Sequence, residues 1–260
     1  ITSCGGMYQN SSGWRKQENI TKDRHLNAIA CNGDTWVICG DNRTIVISTD
    51  DGNTWNSKVS GSDLDYSPFY AVAHNGDKWI AGGKDCGLYV SIDNGNTWRR
   101  LASAPNNNFI SIAYNNNRWV ATGQAHAIYV SADNGDSWTE KKGVGLPLIT
   151  QGELNSVACN GNVWIIVGVW HGIVVSLDNG NTWNFKTAPI LHTVGARLRA
   201  ISCNGNTWVA VGGDGIILTS TDNGNTWQRK DSKVTAGLCA VAYNGNTWVA
   251  TGGGAIIRSE

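Results

Sequence analysis

The chain has 260 residues, and its 20 Lys and Arg residues balance its 20 Asp and Glu residues. A formal net charge of zero argues against a general nucleic-acid or membrane-surface binder, because both need a basic surface. Gly is abundant at 32 residues, Pro is scarce at 4, and no apolar run reaches the length of a membrane span. This composition favours one domain of short strands joined by tight turns.

The predicted elements begin with a short strand at residues 13–17. The segment 11–16 resembles residues 225–230, which open the outer strand of a later repeat. Six repeats of four strands follow, near residues 26–58, 69–101, 109–141, 154–186, 198–230 and 238–260. Because the last repeat ends before its outer strand, we expect residues 13–17 to supply that strand and close the fold.

The fifth repeat shows the strand pattern most clearly. An inner strand from Leu198 to Cys203 is followed by an Asn-Gly turn, the strongest short hairpin signal. A second strand (residues 207–211) leads into the Gly-rich turn 212–215, and a third strand spans residues 216–220. The strands are short, β-branched and bounded by Gly and Asn, and no segment shows a sustained helical period.

A string Ser-x-Asp-x-Gly-x-Thr/Ser-Trp marks the last turn of five repeats. Its aspartates are separated by 43, 40, 45 and 44 residues and are Asp50, Asp93, Asp133, Asp178 and Asp222. A short carboxylate at a turn accepts backbone hydrogen bonds, and Gly permits positive φ. These aspartates are therefore predicted to be structural. Of the 13 Trp residues, only Trp170 falls outside the repeat positions.

These repeats predict an all-β chain: a six-bladed β-propeller of four-stranded antiparallel blades, forming a single domain over residues 1–260. The five boxes resemble the Asp-box, or bacterial neuraminidase (BNR), repeat of sialidases, sortilin-type receptors and the photosystem II assembly factor. The resemblance covers nearly the whole chain. It implies the fold and leaves the function open, because these families do unrelated things.

The resemblance does not extend to the sialidase active site. That family clamps its substrate with three arginines, whereas only Arg199 has an inner-strand position here, with Arg43 and Arg197 in nearby loops. A glycosidase would need two carboxylates facing one bond. The carboxylates outside the repeat pattern lie in different blades and are Asp41, Asp65, Asp85, Glu153 and Asp214. Enzyme activity is therefore not predicted.

The loops that vary from blade to blade are the predicted binding face, because variable loops on a rigid scaffold usually carry binding. The candidate ligand-binding residues are Trp170, His171, His126, Gln124, Arg199, Tyr70 and Asp214. Trp170 with His171 suits a sugar ring or a protein hot spot equally, and the alternative is that Trp170 only caps blade four. Two loop histidines without a third ligand are a weak metal signal, so no metal or cofactor is predicted.

Two positions recur along the inner strands. One, at the possible mouth of a channel, is occupied by Asn27, Tyr70, Ile110, Asn155, Arg199 and Cys239. The other, at the opposite end, is occupied by Cys31, His74, Tyr114, Cys159, Cys203 and Tyr243. The second set has soft-metal ligands, but packing is the favoured interpretation.

The 7 cysteines form no CxxC pair, and Cys39 with Cys86 is the one disulfide candidate. Three sequons, at Asn10, Asn19 and Asn42, suit a secreted protein, although an Asn-rich chain also produces sequons by chance. The function predicted first is lectin-like carbohydrate binding by the variable loops. A protein-interaction or assembly scaffold is the alternative, and a glycoside hydrolase is the less favoured third. The expected ligand is thus a glycan or a protein.

Overall fold

The computed structural model describes residues 24–59, 67–85, 87–141, 152–168, 172–189 and 197–259. These residues form antiparallel sheets, with one short 3₁₀ segment at Gly213–Gly215. Within these ranges no helix is long and apolar enough to cross a membrane. The sheets fall into two compact units, one ending at Asn108 and the other beginning at Phe109. The prediction of an all-β chain of antiparallel sheets is confirmed.

The unit that ends at Asn108 contains two four-stranded sheets, each ordered as its strands occur in the chain. The first sheet consists of β1 (Leu26–Cys31), β2 (Trp36–Gly40), β3 (Thr44–Ser48) and β4 (Asn56–Val59). The second consists of β5 (Phe69–His74), β6 (Trp79–Gly83), β7 (Gly87–Ser91) and β8 (Arg99–Arg100). Apolar side chains of both sheets form one core, in which Ile45 and Ile47 pack with Val72 and Trp79.

The unit that begins at Phe109 contains three four-stranded sheets and one of three strands. The first is β9 (Phe109–Asn115), β10 (Arg118–Gly123), β11 (Ile128–Ser131) and β12 (Thr139–Lys141). The second is β13 (Leu154–Asn160), β14 (Val163–Gly168), β15 (Gly172–Ser176) and β16 (Asn184–Thr187). The third is β17 (Leu198–Cys203), β18 (Trp208–Gly212), β19 (Ile217–Ser220) and β20 (Gln228–Lys230), and the last is β21 (Ala240–Tyr243), β22 (Trp248–Gly252) and β23 (Ala255–Arg258).

The last sheet therefore has three strands within the described part of the chain. Residues 13–17, the predicted fourth strand, lie outside the described residues, and the closure of the fold stays a prediction. The single domain over residues 1–260 also stays a prediction.

Tryptophans of the second strands are almost completely buried in four of the sheets. Trp79, Trp119, Trp164 and Trp208 are at most 1% exposed. In register, each pairs with the serine that begins the Asp box, as Trp208 does with Ser220. Truncating a fully buried Trp to Ala costs about 3–5 kcal/mol, so these residues contribute a large part of the stability of the sheets that contain them.

Every second strand ends in Gly, and at five of these six glycines the chain that enters the first strand passes too close to leave room for a Cβ. A Cβ added at Gly83 would lie 1.9 Å from the carbonyl oxygen of Pro68, and one added at Gly212 would lie 2.0 Å from that of Arg197. We call this end of each sheet, where the chain enters the first strand and the second strand turns into the third, the loop end. The opposite end, which carries the Asp box, is the box end.

Candidate functional site

The Asp box closes the box end of each four-stranded sheet by the same hydrogen bonds. In the fifth box, Ser220 Oγ donates to Asp222 Oδ1 at 2.9 Å, and Thr226 donates to both carboxylate oxygens, from N at 2.9 Å and from Oγ1 at 2.7 Å. Trp227 Nε1 donates to the carbonyl of Gly224 at 3.1 Å. Equivalent carboxylate bonds occur at Asp50, Asp93, Asp133 and Asp178.

These donors stabilise the ionised carboxylates. The pKa of Asp50 is lowered to about 2, chiefly by the hydroxyl of Thr54 and then by its backbone N–H. The pKa of Asp222 is also lowered to about 2, chiefly by the backbone N–H of Thr226 and then by its hydroxyl. Because the carboxylate oxygens are occupied inside the turn, they are poorly placed to act on a ligand.

A β-bulge lies at the loop end of the first strand in five sheets. In β17, Leu198 pairs with Gly212 and Ala200 pairs with Val211, which makes Arg199 the extra residue. The same shift in register falls at Asn27, Tyr70, Ile110 and Asn155. The shared position seen in the sequence is thus a bulge, and bulges re-aim side chains out of the regular alternation.

Two of the bulge residues join neighbouring sheets within a unit. Asn27 Nδ2 donates to the carbonyl of Phe69 at 2.9 Å, and Asn155 Nδ2 donates to that of Leu198 at 2.8 Å. Both carbonyls belong to the residue that begins the first strand of the next sheet. Tyr70 and Arg199 remain exposed, with Tyr70 at 36%. The bulge therefore serves the fold in some sheets and presents a side chain to solvent in others.

The turns at the loop end require positive φ at two successive residues. Asn42-Arg43, Ala125-His126 and Asp214-Gly215 all have φ between 51° and 65°. In each turn the N–H of the following residue bonds to the carbonyl of the preceding one, as Ala127 N does to Gln124 O at 3.1 Å. This is the type I′ hairpin turn, which favours Asn-Gly. A side chain in this conformation costs roughly 1–2 kcal/mol per residue, so Arg43, Ala125 and His126 need compensating contacts.

Two predicted site residues, Gln124 and His126, contact the same neighbouring segment, residues 152–153. Gln124 forms a β-bridge with Glu153, and its Nε2 lies 3.5 Å from Glu153 Oε1. His126 N donates to the carbonyl of Gly152 at 3.0 Å, and its imidazole covers that glycine so closely that an added Cβ would lie 1.9 Å from Nε2. Burial lowers the pKa of His126. This histidine is therefore a neutral packing group between two sheets.

Asp214 lines a cleft of about 320 Å³ beside the outer strand of its own sheet. Its other lining residues are Gly215, Arg229, Lys230, Asp231, Ser232 and Val234. Asp231 pairs with the exposed Lys233 at 2.5 Å, and this bond lowers the pKa of Asp231. Charges of both signs line the cleft, which gives it no single preferred ligand charge.

Arg199 faces the neighbouring last sheet. Its Nη1 lies 3.3 Å from Cys239 Sγ, and both residues are exposed. Arg199 and Asp214 belong to the same sheet, whereas Tyr70 belongs to the unit that ends at Asn108.

The contact made by Arg43 was not predicted from the sequence. Its guanidinium lies 5.1 Å from the ring centroid of Tyr89 in the neighbouring sheet, and the residue is only 8% exposed. Such a cation–π contact joins the two sheets of this unit and compensates for the positive φ at Arg43. No local sequence signal marks it, because the partner lies on another sheet.

Two family models match the chain. The model of the DUF6242 beta propeller domain matches residues 8–147, which is more than half of the chain. The chain belongs to this family. The remaining part, residues 156–260, matches the model of the photosynthesis system II assembly factor YCF48. The Asp-box propeller superfamily predicted from the boxes is thereby confirmed. No curated protein sequence matches this DUF6242-family chain.

Solved structures share the fold of this DUF6242-family chain at low identity. A structure of YCF48 bound to D1 peptide is 18% identical, with a TM-score of 0.69 over 91% of this chain and 78% of the other. YCF48 from Cyanidioschyzon merolae is 17% identical, with a TM-score of 0.69 over 91% and 85%. A GH74 enzyme from Niastella koreensis is 20% identical, with a TM-score of 0.64 over 91% of this chain but 36% of the enzyme. At these identities the likeness shows the fold alone.

Several predicted residues of this DUF6242-family chain lie outside the described residues. Trp170 and His171 are among them, so their role as a ligand platform stays a prediction. The predicted Cys39–Cys86 disulfide also stays a prediction, since Cys86 lies outside the described residues and Cys39 is buried in β2.

The recurring position at the box end of the first strands is packed. Cys203 Sγ donates to the carbonyl of Cys159 at 3.2 Å. Burial raises the pKa of Cys159 to about 12, so this thiol stays protonated. The ring of His74 lies 4.9 Å from that of Trp79. In the described ranges no three His, Cys, Asp or Glu residues are grouped as metal ligands. These contacts favour the packing interpretation.

Proposed function

We propose that this chain is a non-catalytic binding domain whose loop end recognises a protein partner. The observation that carries the proposal is the bulge shared by five sheets. It holds one backbone geometry while the side chain changes from Asn to Tyr, Ile or Arg. Where the side chain is exposed, as at Tyr70 and Arg199, such a position on a rigid scaffold suits recognition of a partner's surface.

The comparisons support a protein partner over a glycan. The YCF48 structure with a bound D1 peptide shows that a propeller of this fold takes a peptide ligand in that protein. Residues 156–260 of this chain match the YCF48 family as well. Carbohydrate binding, our first prediction from the sequence, rests mainly on Trp170 and His171. It remains the second candidate.

The absence of catalysis is also part of the proposal. A glycosidase acid needs a raised pKa at the operating pH. Among the described residues, every Asp or Glu whose pKa departs from its ordinary value has it lowered. Five of these carboxylates sit in the Asp boxes, whose hydrogen bonds account for the direction.

The proposal is tested on an array of random 12-residue peptides probed with the labelled full chain. Tyr70→Ala and Arg199→Gln change the loop end, and Asn206→Ala changes an exposed turn at the box end as the matched control. We expect peptide binding that one or both loop-end variants weaken and that Asn206→Ala leaves unchanged. Equal losses in all three variants, or no bound peptide, would refute a loop-end protein site.

A glycan array probed in parallel separates the two candidate functions. Glycan binding without peptide binding would favour a lectin, and its loss in Trp170→Ala would assign the site to that residue. Binding of peptides alone would leave the lectin prediction without support.

We also propose that residues 13–17 complete the sheet of β21, β22 and β23. Each described outer strand begins directly after a box tryptophan, and Trp14 takes the place of that tryptophan in this segment. In the described part of the chain, β23 lies at the edge of a three-stranded sheet and its Ile256 is 80% exposed, and such an edge can pair with a further strand. Deleting residues 1–17 should lower the melting temperature and promote aggregation, and an unchanged melting curve would refute the proposal.

A further inference from the structure

We propose that Arg199 and the side-chain-free backbone at Gly237 form a binding site for a carboxylate group of the partner. The inference rests on the proposed protein-binding function and names the chemistry of one contact. Both residues lie at the loop end of the last two sheets, within the unit that begins at Phe109.

The guanidinium of Arg199 has unused hydrogen-bonding capacity. It carries five N–H donors, and a thiol is a weak acceptor. In the described part of the chain, the polar contact of the Arg199 guanidinium is with Cys239 Sγ at 3.3 Å. The ion pair in that part of the chain joins Lys233 to Asp231 and does not involve Arg199. The bulge directs this exposed side chain away from its own sheet and towards Cys239. The arginine is therefore held in place while most of its donors remain available.

Gly237 is a glycine that the fold does not require. A Cβ added there would meet Gly213 Cα at 3.7 Å, an ordinary contact, and its φ is not positive. The next atom is Arg199 Nη2, at 4.0 Å from the same Cβ position. By contrast, a Cβ at Gly252 would lie 2.3 Å from the carbonyl oxygen of Gly237, so that glycine is needed for packing.

The missing side chain at Gly237 thus leaves space beside the guanidinium. A glycine without a packing or φ requirement is expected where a ligand approaches the backbone. Gly213, which borders the same space, also lacks a side chain. A group of the partner can therefore reach Arg199 over a surface made of backbone.

A carboxylate is the ligand that this geometry favours. The planar fork of Arg binds a carboxylate through two parallel hydrogen bonds, which are shorter and stronger than those to neutral acceptors. Arg197 adds a second exposed positive charge at the same loop end. The opposing charges in that region are Asp214 and Asp231, which line one cleft with Lys230, and Asp231 is paired with Lys233. An acidic peptide is the partner chemistry that follows.

The test measures fluorescence anisotropy of two labelled decapeptides, (Gly-Glu)5 and (Gly-Gln)5, with the full chain at low salt. We expect (Gly-Glu)5 to bind more tightly than (Gly-Gln)5. Arg199→Gln should weaken (Gly-Glu)5 binding about tenfold, which is about 1.4 kcal/mol. Gly237→Leu should weaken it similarly by filling the space. Arg229→Gln, which removes an exposed arginine of the outer strand, is the matched control and should change binding less than twofold.

Equal effects of Arg199→Gln and Arg229→Gln would show general charge attraction and would overturn the site. Binding that Gly237→Leu leaves intact would also overturn it, provided that the variant melts like the wild type. If Gly237→Leu unfolds, Gly237→Ala takes its place with a smaller expected loss. Random peptides that bind the loop end independently of Arg199 and Gly237 would refute the carboxylate site while the proposed function stands. Failure of all peptides would refute both.

Discussion

The close approach at the loop end predicts opposite effects for two Gly→Ala substitutions in one region. At Gly212 the new methyl group would lie 2.0 Å from the carbonyl oxygen of Arg197. That carbonyl accepts a hydrogen bond from Gly213 N at 2.9 Å, so relief of the clash would break or stretch this bond. At Gly237 the nearest atom is 3.7 Å away, and the methyl group fits.

The expected changes in the free energy of unfolding follow from the general costs of overpacking, of a lost hydrogen bond and of unfolded-chain entropy. Overpacking a rigid site costs about 1–3 kcal/mol, and loss of a backbone hydrogen bond adds about 1 kcal/mol, so Gly212→Ala should destabilise by about 2–4 kcal/mol. Gly237→Ala reduces the entropy of the unfolded chain and should stabilise by about 0.4–1 kcal/mol. For a chain of this size the first change lowers Tm by roughly 4–16 °C and the second raises it by a few degrees at most.

Urea and thermal unfolding followed by Trp fluorescence measure both variants against the wild type. A free energy of unfolding for Gly212→Ala within about 1 kcal/mol of the wild type, roughly the cost of one hydrogen bond, would refute the predicted clash. Equal destabilisation of the two variants would also refute the distinction between a glycine that the fold requires and one that it does not.

Three further predictions concern strain, contacts between sheets and the Asp boxes. Ala125→Gly should stabilise by up to about 1 kcal/mol in urea unfolding, because it relieves a positive φ. Removing Arg43 or Tyr89, as Arg43→Gln and Tyr89→Leu, should show a coupling of about 1 kcal/mol in a double-mutant cycle of unfolding free energies. The folded pKa of Asp222, about 2, lies below the value of about 3.9 in the unfolded chain. The stability that this carboxylate contributes is therefore present above about pH 4 and lost as the pH falls towards 2, so Asp222→Asn should flatten the stability profile in that window, measured by thermal melts at stepped pH.

Each of these predictions has a result that would contradict it. A destabilised Ala125→Gly variant would mean that packing of the Ala125 methyl group stabilises the fold by more than the strain of its positive φ destabilises it. Additive effects at Arg43 and Tyr89 would exclude a cation–π coupling. A profile of Asp222→Asn parallel to that of the wild type between pH 4 and 2 would show that the box carboxylate is not held by its donors.

The regular strands were predictable because their signals are local. The predicted inner strand Leu198–Cys203 is β17 without change, since hydrophobic residues and the Asn-Gly turn fix both of its ends. The third strand was predicted from Ile216 but begins at Ile217. Ile216 N instead bonds to the carbonyl of Gly213 and closes the 3₁₀ segment. The observed strand boundary differs from the predicted one because this turn takes the backbone N–H that the strand would have used.

The loop end was much less predictable, because its features depend on pairing between strands or between sheets. The shared position of Arg199 and Asn155 was visible in the sequence, but its bulge appears only once the register with the second strand is known. The turn Ala125-His126 lacks the Gly that a type I′ turn favours, so the sequence does not predict this turn type. The backbone N–H of Val157 bonds to Ser111 Oγ at 3.2 Å, from a residue 46 positions away in sequence, which no local pattern encodes.

The bulge at the start of the first strand has an evolutionary consequence. Its extra residue takes no place in the pairing with the second strand, so its side chain can change without a matching change in the core, except where it bonds to the next sheet as Asn27 and Asn155 do. In contrast, each residue of the box-end turn and each buried tryptophan contacts several other residues. Selection on a new partner can therefore act at one residue per sheet, in several sheets independently, while the rest of the repeat stays the same.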